Sequence, residues 1–200
     1  MLQYILTESK RYSVAELAQM AIEGGCMWIS LHLPGLDDAA VRDLVAPDVV
    51  DMCREASVFL TVDDRPGLAR ELGLHGVRIS SEYLRCNAGV SAMSLRDELG
   101  PEAVIGMECA DASVVPALVA ADIDFVTLPA DFDSAKRGCF TAAIRGAGVQ
   151  MPVVAQGDFT AAEAREAMAD GCNGVAVGLS ITDAPDPIVA MQTMLAALGA

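Results

Sequence analysis

Short, almost continuously apolar runs alternate with longer segments of helical periodicity from one end of the chain to the other. Runs over residues 3–7, 27–33, 58–62, 76–79, 103–107, 124–128, 152–155 and 174–177 have the length and near-continuous apolarity of strands buried on both faces. The segments between them open on helix-capping residues: Ser13 ahead of Val-Ala-Glu16, Asp111 or Ser113 ahead of an Ala/Val run, and Thr160-Ala-Ala-Glu163, a capping-box pattern. Several close on glycine, at Gly24-Gly25, Gly73, Gly100 and Gly171, where a left-handed residue turns the chain toward the next strand. Alternation of this kind predicts parallel strands joined by crossover helices. The spacing of about 25 residues per unit predicts closure into a (β/α)8 barrel, a TIM-type fold, as one domain over residues 1–200. An open doubly wound sheet shares the alternation, and the even length of the units favours the barrel. An Ala-rich helix over 187–198 reads as the closing element.

Composition sharpens this picture. Hydrophobic residues make up 53% of the chain, enough to fill a barrel and the layer between helices and sheet. With 13 Lys and Arg against 28 Asp and Glu, the net charge of −15 argues against nucleic-acid and anionic-membrane partners, which require a basic face. The apolar run at the N-terminus is too short for a signal peptide or a membrane span, so the chain reads as cytoplasmic. Six cysteines are scattered singly, without zinc-site spacing, and read as small core residues. The oligomeric state stays open, a homo-oligomer included.

In a (β/α)8 barrel the residues just after each strand face the functional mouth. Here they are acidic: Asp63-Asp64 after the third strand, Glu82 after the fourth, Glu108 after the fifth, Asp131 and Asp133 after the sixth, and Asp158 after the seventh. Asp63, Asp64 and Glu82 are oxygen donors from adjacent strand ends, suited either to Mg²⁺ or to capping helices, and Asp64 and Glu82 are the metal candidates. Gly157 and Gly178, with Leu179, stand in the loops after strands 7 and 8, where barrels bind phosphate through backbone N–H groups. Tight strand-to-helix turns use glycine too. Lys136 is the cation best placed to neutralise a departing phosphate. His32, after strand 2, is the candidate acid or base, whereas His75 precedes strand 4 at the opposite end.

The segments Tyr4-Ile-Leu-Thr7, Asp63-Asp-Arg65, Leu72-Gly-Leu-His-Gly-Val-Arg78, Pro152-Val-Val-Ala155 and Gly171-Cys-Asn-Gly-Val-Ala-Val177 together resemble the thiamine phosphate synthase family and its thiazole tautomerase relatives. The resemblance runs through essentially the whole chain. It implies a (β/α)8 barrel, a small phosphorylated partner, Mg²⁺ as cofactor, and a transferase that joins hydroxymethylpyrimidine pyrophosphate to thiazole phosphate. It would give Asp64 to the metal, Lys136 to the pyrophosphate, and Gly157, Gly178 and Leu179 to phosphate. Against that pattern the basic Gln-x-Arg-x-Lys segment after strand 2 is Ser30-Leu-His32-Leu-Pro34. The second metal aspartate is Tyr83, and the second glycine after strand 7 is Asp158. The pyrophosphate-binding residues are thus largely replaced. Three readings follow: a synthase-like enzyme of thiamine biosynthesis, a non-catalytic barrel that binds a small ligand or partner, and a different divalent-metal enzyme using Asp63, Asp64, Glu82, Glu108, Asp131 and Asp158.

Overall fold

In the computed structural model, which describes residues 1–199, eight strands close into a parallel barrel in sequence order. They are β1 (Leu2–Leu6), β2 (Trp28–Leu31), β3 (Phe59–Asp63), β4 (Gly76–Ile79), β5 (Val104–Glu108), β6 (Phe125–Leu128), β7 (Val153–Gln156) and β8 (Gly174–Val177). The pairing of Gln3 with Ala176, β1 against β8, excludes the open sheet. The surrounding helices are α1 (Val14–Glu23), α2 (Asp38–Val45), α3 (Asp48–Glu55), α4 (Pro66–Leu72), α5 (Ser81–Cys86), α6 (Ala92–Leu99), α7 (Val115–Ala120), α8 (Ser134–Gly146), α9 (Ala161–Ala169), α10 (Leu179–Thr182) and α11 (Pro187–Leu198). A 3₁₀ turn, Ala112–Val114, leads into α7.

The predicted punctuation is present. Ser13 and Thr160 each form a full capping box with a glutamate three residues on, which satisfies backbone N–H groups the helix cannot bond internally. Asp111 caps the 3₁₀ turn, and Gly73 ends α4 in the left-handed conformation at φ 61°. Strand boundaries shift by one or two residues, and the shifts at the mouth matter: Asp63, Glu108 and Gln156 are the last residues of their strands rather than loop residues.

The strands are not apolar on both faces, which corrects the expectation from composition. Their outward side chains meet the helices in one large core that includes Leu6, Ile29, Leu60, Val77, Ile105 and Val153. The inward faces of β2, β3 and β4 are polar instead, carrying Ser30, Thr61, Asp63 and Arg78, all buried. The lumen is apolar around Ile5, Phe125, Val154 and Ala176. At its lower end the Trp28 ring meets Phe125 edge-on at 5.0 Å and Phe59 at 6.3 Å. Gly106 makes room for this plug, since a Cβ there would lie 2.1 Å from the Phe125 ring.

Candidate functional site

The mouth is organised around one carboxylate. Register pairs Asp63 with Arg78 across β3 and β4, and the guanidinium holds both carboxylate oxygens, with Nε 3.0 Å from Oδ1 and the terminal nitrogen on Oδ2. Ser30 Oγ donates to Asp63 Oδ1 at 2.7 Å, and His32 Nδ1 lies 3.0 Å from Oδ2. Arg78 also reaches across the lumen to Gln156 Oε1 on β7. Burial by itself would push the Asp63 carboxyl up. The Arg78 charge and the hydrogen bonds from His32, Arg78 and Ser30 outweigh it and hold the group below the ordinary carboxylate range. From Asp63 the bonds run downward through Ser30 and Thr61 to Trp28 Nε1, so the polar network spans the lumen from mouth to floor.

Two cavities open at this end, and His32 lines both. The smaller, about 310 Å³, lies between the loops after β2, β3 and β4 and is bordered by Asp63, Asp64, Arg65, Glu82 and Tyr83. The larger, about 590 Å³, is bordered by Glu8, Gln156, Gly157, Asp158, Gly178 and Leu179. His32, Gly157, Gly178 and Leu179 therefore do share a site. Two of its backbone donors are already engaged. Leu179 N–H donates to Asp158 Oδ1 at 2.8 Å, and Gly157 N–H donates to the Ala176 carbonyl at 3.1 Å. Asp158 thus puts a carboxylate on a backbone donor of this loop, at a position where the resemblance implies a glycine. Among the described residues, those lining the larger cavity include no Lys or Arg.

Asp64 and Glu82 border the smaller cavity together, but each is committed elsewhere. Asp64, at φ 57°, accepts from both the N–H and the hydroxyl of Ser80 at 2.7 Å, which ties the β3 loop to the start of α5. Glu82 is exposed and paired with Arg85. Mg²⁺ demands several oxygens in near-octahedral array, and among the described residues no group of three or more His, Cys, Asp or Glu side chains could hold an ion. The arrangement does not fit the family's metal. Arg65 is spent on Asp38 and on the Leu33 and Leu36 carbonyls. Lys136 lies outside both cavities: Asp133 caps α8 through Lys136 N–H, and the side chain turns outward, 3.9 Å from Asp131 and over the Phe132 ring. It borders a separate concavity with Asp111 and Cys139.

Reading the residues after each strand missed Ser30 and Arg78, because these lie within β2 and β4. Alternation of polar residues at Ser30/His32 and Thr61/Asp63 was the available signal, since residues two apart in a strand share a face. Gln3 and Thr127, fully buried, have side-chain polar atoms without a protein partner, a hydrogen-bonding demand that a water or ligand atom can meet.

Fold and mouth together define a (β/α)8 barrel with two cavities at the C-terminal ends of its strands. The sequence profile of a family described as thiamine monophosphate synthase matches residues 3–181, and the chain belongs to that family. It is 29% identical to a thiamine-phosphate synthase of Bacteroides fragilis over 97% of this chain and 98% of that one. It is 27% identical to one from Haloarcula marismortui over 98% and 95%. In structure it resembles a thiamine phosphate pyrophosphorylase from Pyrococcus furiosus, with a TM-score of 0.83 at 19% identity over 98% of this chain and 95% of that one. It also resembles orotidine 5'-phosphate decarboxylase from Pyrococcus horikoshii, with a TM-score of 0.71 at 14% identity over the full length of both. At these identities the two structures speak for the fold. No helix among the described residues is long and apolar enough to cross a membrane.

Proposed function

We propose that this barrel has kept the family's scaffold and given up its pyrophosphate chemistry, so that its mouth binds a small neutral or cationic molecule rather than joining hydroxymethylpyrimidine pyrophosphate to thiazole phosphate. The Asp158 carboxylate on the Leu179 N–H carries this reading, because a bound phosphate oxygen would have to displace a fixed negative charge from the donor it needs. The rest of the mouth points the same way. Glu8 and Asp158 face the larger cavity, Asp64 and Glu82 the smaller, and the nearby guanidinium groups of Arg65 and Arg78 are already paired. A cavity of about 590 Å³ is of the size that encloses a small ligand. Six free cysteines support a reducing compartment, the cytoplasm.

The test combines turnover with binding. Folded protein, both synthase substrates and Mg²⁺ are expected to give no thiamine phosphate, and calorimetry with inorganic pyrophosphate no heat of binding. Formation of thiamine phosphate above the uncatalysed background would overturn the proposal and restore the synthase reading, which family membership over the length of the chain supports.

A further inference from the structure

The register of the eight strands stacks their inward side chains in layers drawn from alternate strands, as in other barrels of this kind. Bulky branched side chains ordinarily fill those layers. Here Gln3 stands level with Thr61, and the layer above holds Ser30, Arg78, Thr127 and Ala176, all buried. Ser30, Thr127 and Ala176 are small, so Arg78 is the one long side chain of that layer. The hydrogen bonds of these residues do not close among themselves. Thr61 and Ser30 are partnered within the chain that runs from Trp28 to Asp63. Gln3 Oε1, Gln3 Nε2 and Thr127 Oγ1 have no protein partner, although both residues are 0% exposed. A guanidinium carries five N–H donors, and those of Arg78 that are placed go to Asp63 and to Gln156, which leaves an N–H on each terminal nitrogen.

We propose that the lumen between Gln3 and Thr127 is an internal binding site for ordered water, which joins β1 to β6 and supports Arg78 on the side away from Asp63. The demand is mixed: Gln3 Oε1 only accepts, Gln3 Nε2 only donates, and the Thr127 hydroxyl does either. Water meets all three, and buried water is held by two to four such partners. A metal cation would face the Arg78 charge with a single carbonyl oxygen and a hydroxyl to hold it, and an anion would leave Gln3 Oε1 unsatisfied. The route in is from the mouth. Ala176, the β8 partner of Gln3, lines the larger cavity, whereas the Trp28 and Phe125 rings close the lumen below. The site is independent of what the mouth binds, because its orphaned groups belong to the barrel interior.

Two measurements test this. A high-resolution crystal structure is expected to show water density within hydrogen-bond distance of both Gln3 and Thr127, and NMR cross-relaxation is expected from water to the Gln3 carboxamide protons. A dry lumen, or a Gln3 amide bonded to a protein group instead, overturns the proposal. The second measurement is a thermal-unfolding cycle with Gln3→Met and Thr127→Val, which keep side-chain bulk and each take a partner from the water. Each single variant is expected to lower Tm, and the double variant to recover toward the parent with loss of the cross-relaxation, because water and polar groups then leave together. Single variants that each raise Tm, with effects that add, overturn the proposal, since orphaned groups in a dry lumen are improved one at a time by removal. Should either variant fail to fold, density and cross-relaxation in the parent protein still decide the matter.

Discussion

Removing Asp63 strands a guanidinium. Arg78 is 7% exposed in its side chain and makes its charge-bearing contacts with Asp63, with one further bond to the neutral Gln156. Breaking a buried pair by deleting one partner costs about 3–5 kcal/mol, because the remaining charge has neither water nor counter-ion. Gln156 still accepts from Arg78, so Asp63→Ala belongs near the lower end of that range. At about 2–4 °C per kcal/mol for a chain of this size, Tm should fall by roughly 6–12 °C. Asp63→Leu with Arg78→Met removes both charges and keeps apolar volume, and is expected within about 1 kcal/mol of the parent, since such replacements are often neutral or stabilising. Guanidinium unfolding of the parent, both single variants and the double closes the cycle. A double variant as unstable as the sum of the singles would refute the assignment of Asp63 and Arg78 as one coupled unit. The pair also sets acid sensitivity. The folded carboxyl titrates below its unfolded value, so its contribution is complete above the unfolded pKa and is lost as pH falls through the folded one.

Asp158→Gly frees the Leu179 N–H and removes a negative charge from the cavity; inorganic phosphate affinity by calorimetry is expected to rise about 10-fold or more, as for a recovered charge-assisted hydrogen bond, and no gain would argue that another group excludes phosphate. Gly106→Ala drives a methyl into the Phe125 ring and should cost about 1–3 kcal/mol in urea unfolding, a neutral result showing that the plug can shift. Burial raises the thiols of Cys26, Cys53 and Cys172 from 9.0 to about 11. Because the unfolded chain releases these protons first, stability should be complete below pH 9.0 and decline as pH rises toward about 11, which midpoints measured across that window can contradict by staying level.

The element order and the closed barrel were legible because apolar runs, caps and terminal glycines are local signals that agree with one another. Residues that meet only through the fold were harder to read. Asp63 finds Arg78 through β3–β4 register, and Arg78 finds Gln156 only across a closed lumen, a relation between positions 78 apart. Asp158 was visible as a departure from glycine, but its bond to Leu179 depends on β7 lying beside β8. Lys136 follows β6 closely in sequence, and its place in the first turn of α8, set by the Asp133 cap, directs it away from the cavities. The polar inner face of β2 to β4 was hidden by short strands whose outward residues are uniformly apolar.

The aromatic plug has a consequence for traffic. With Trp28, Phe59 and Phe125 filling the lower end, the barrel has an entrance and no rear exit. A molecule that reaches the lumen must leave by the way it came, past His32. Exchange is then sequential: one occupant departs before the next settles, and two ligands compete for a single doorway.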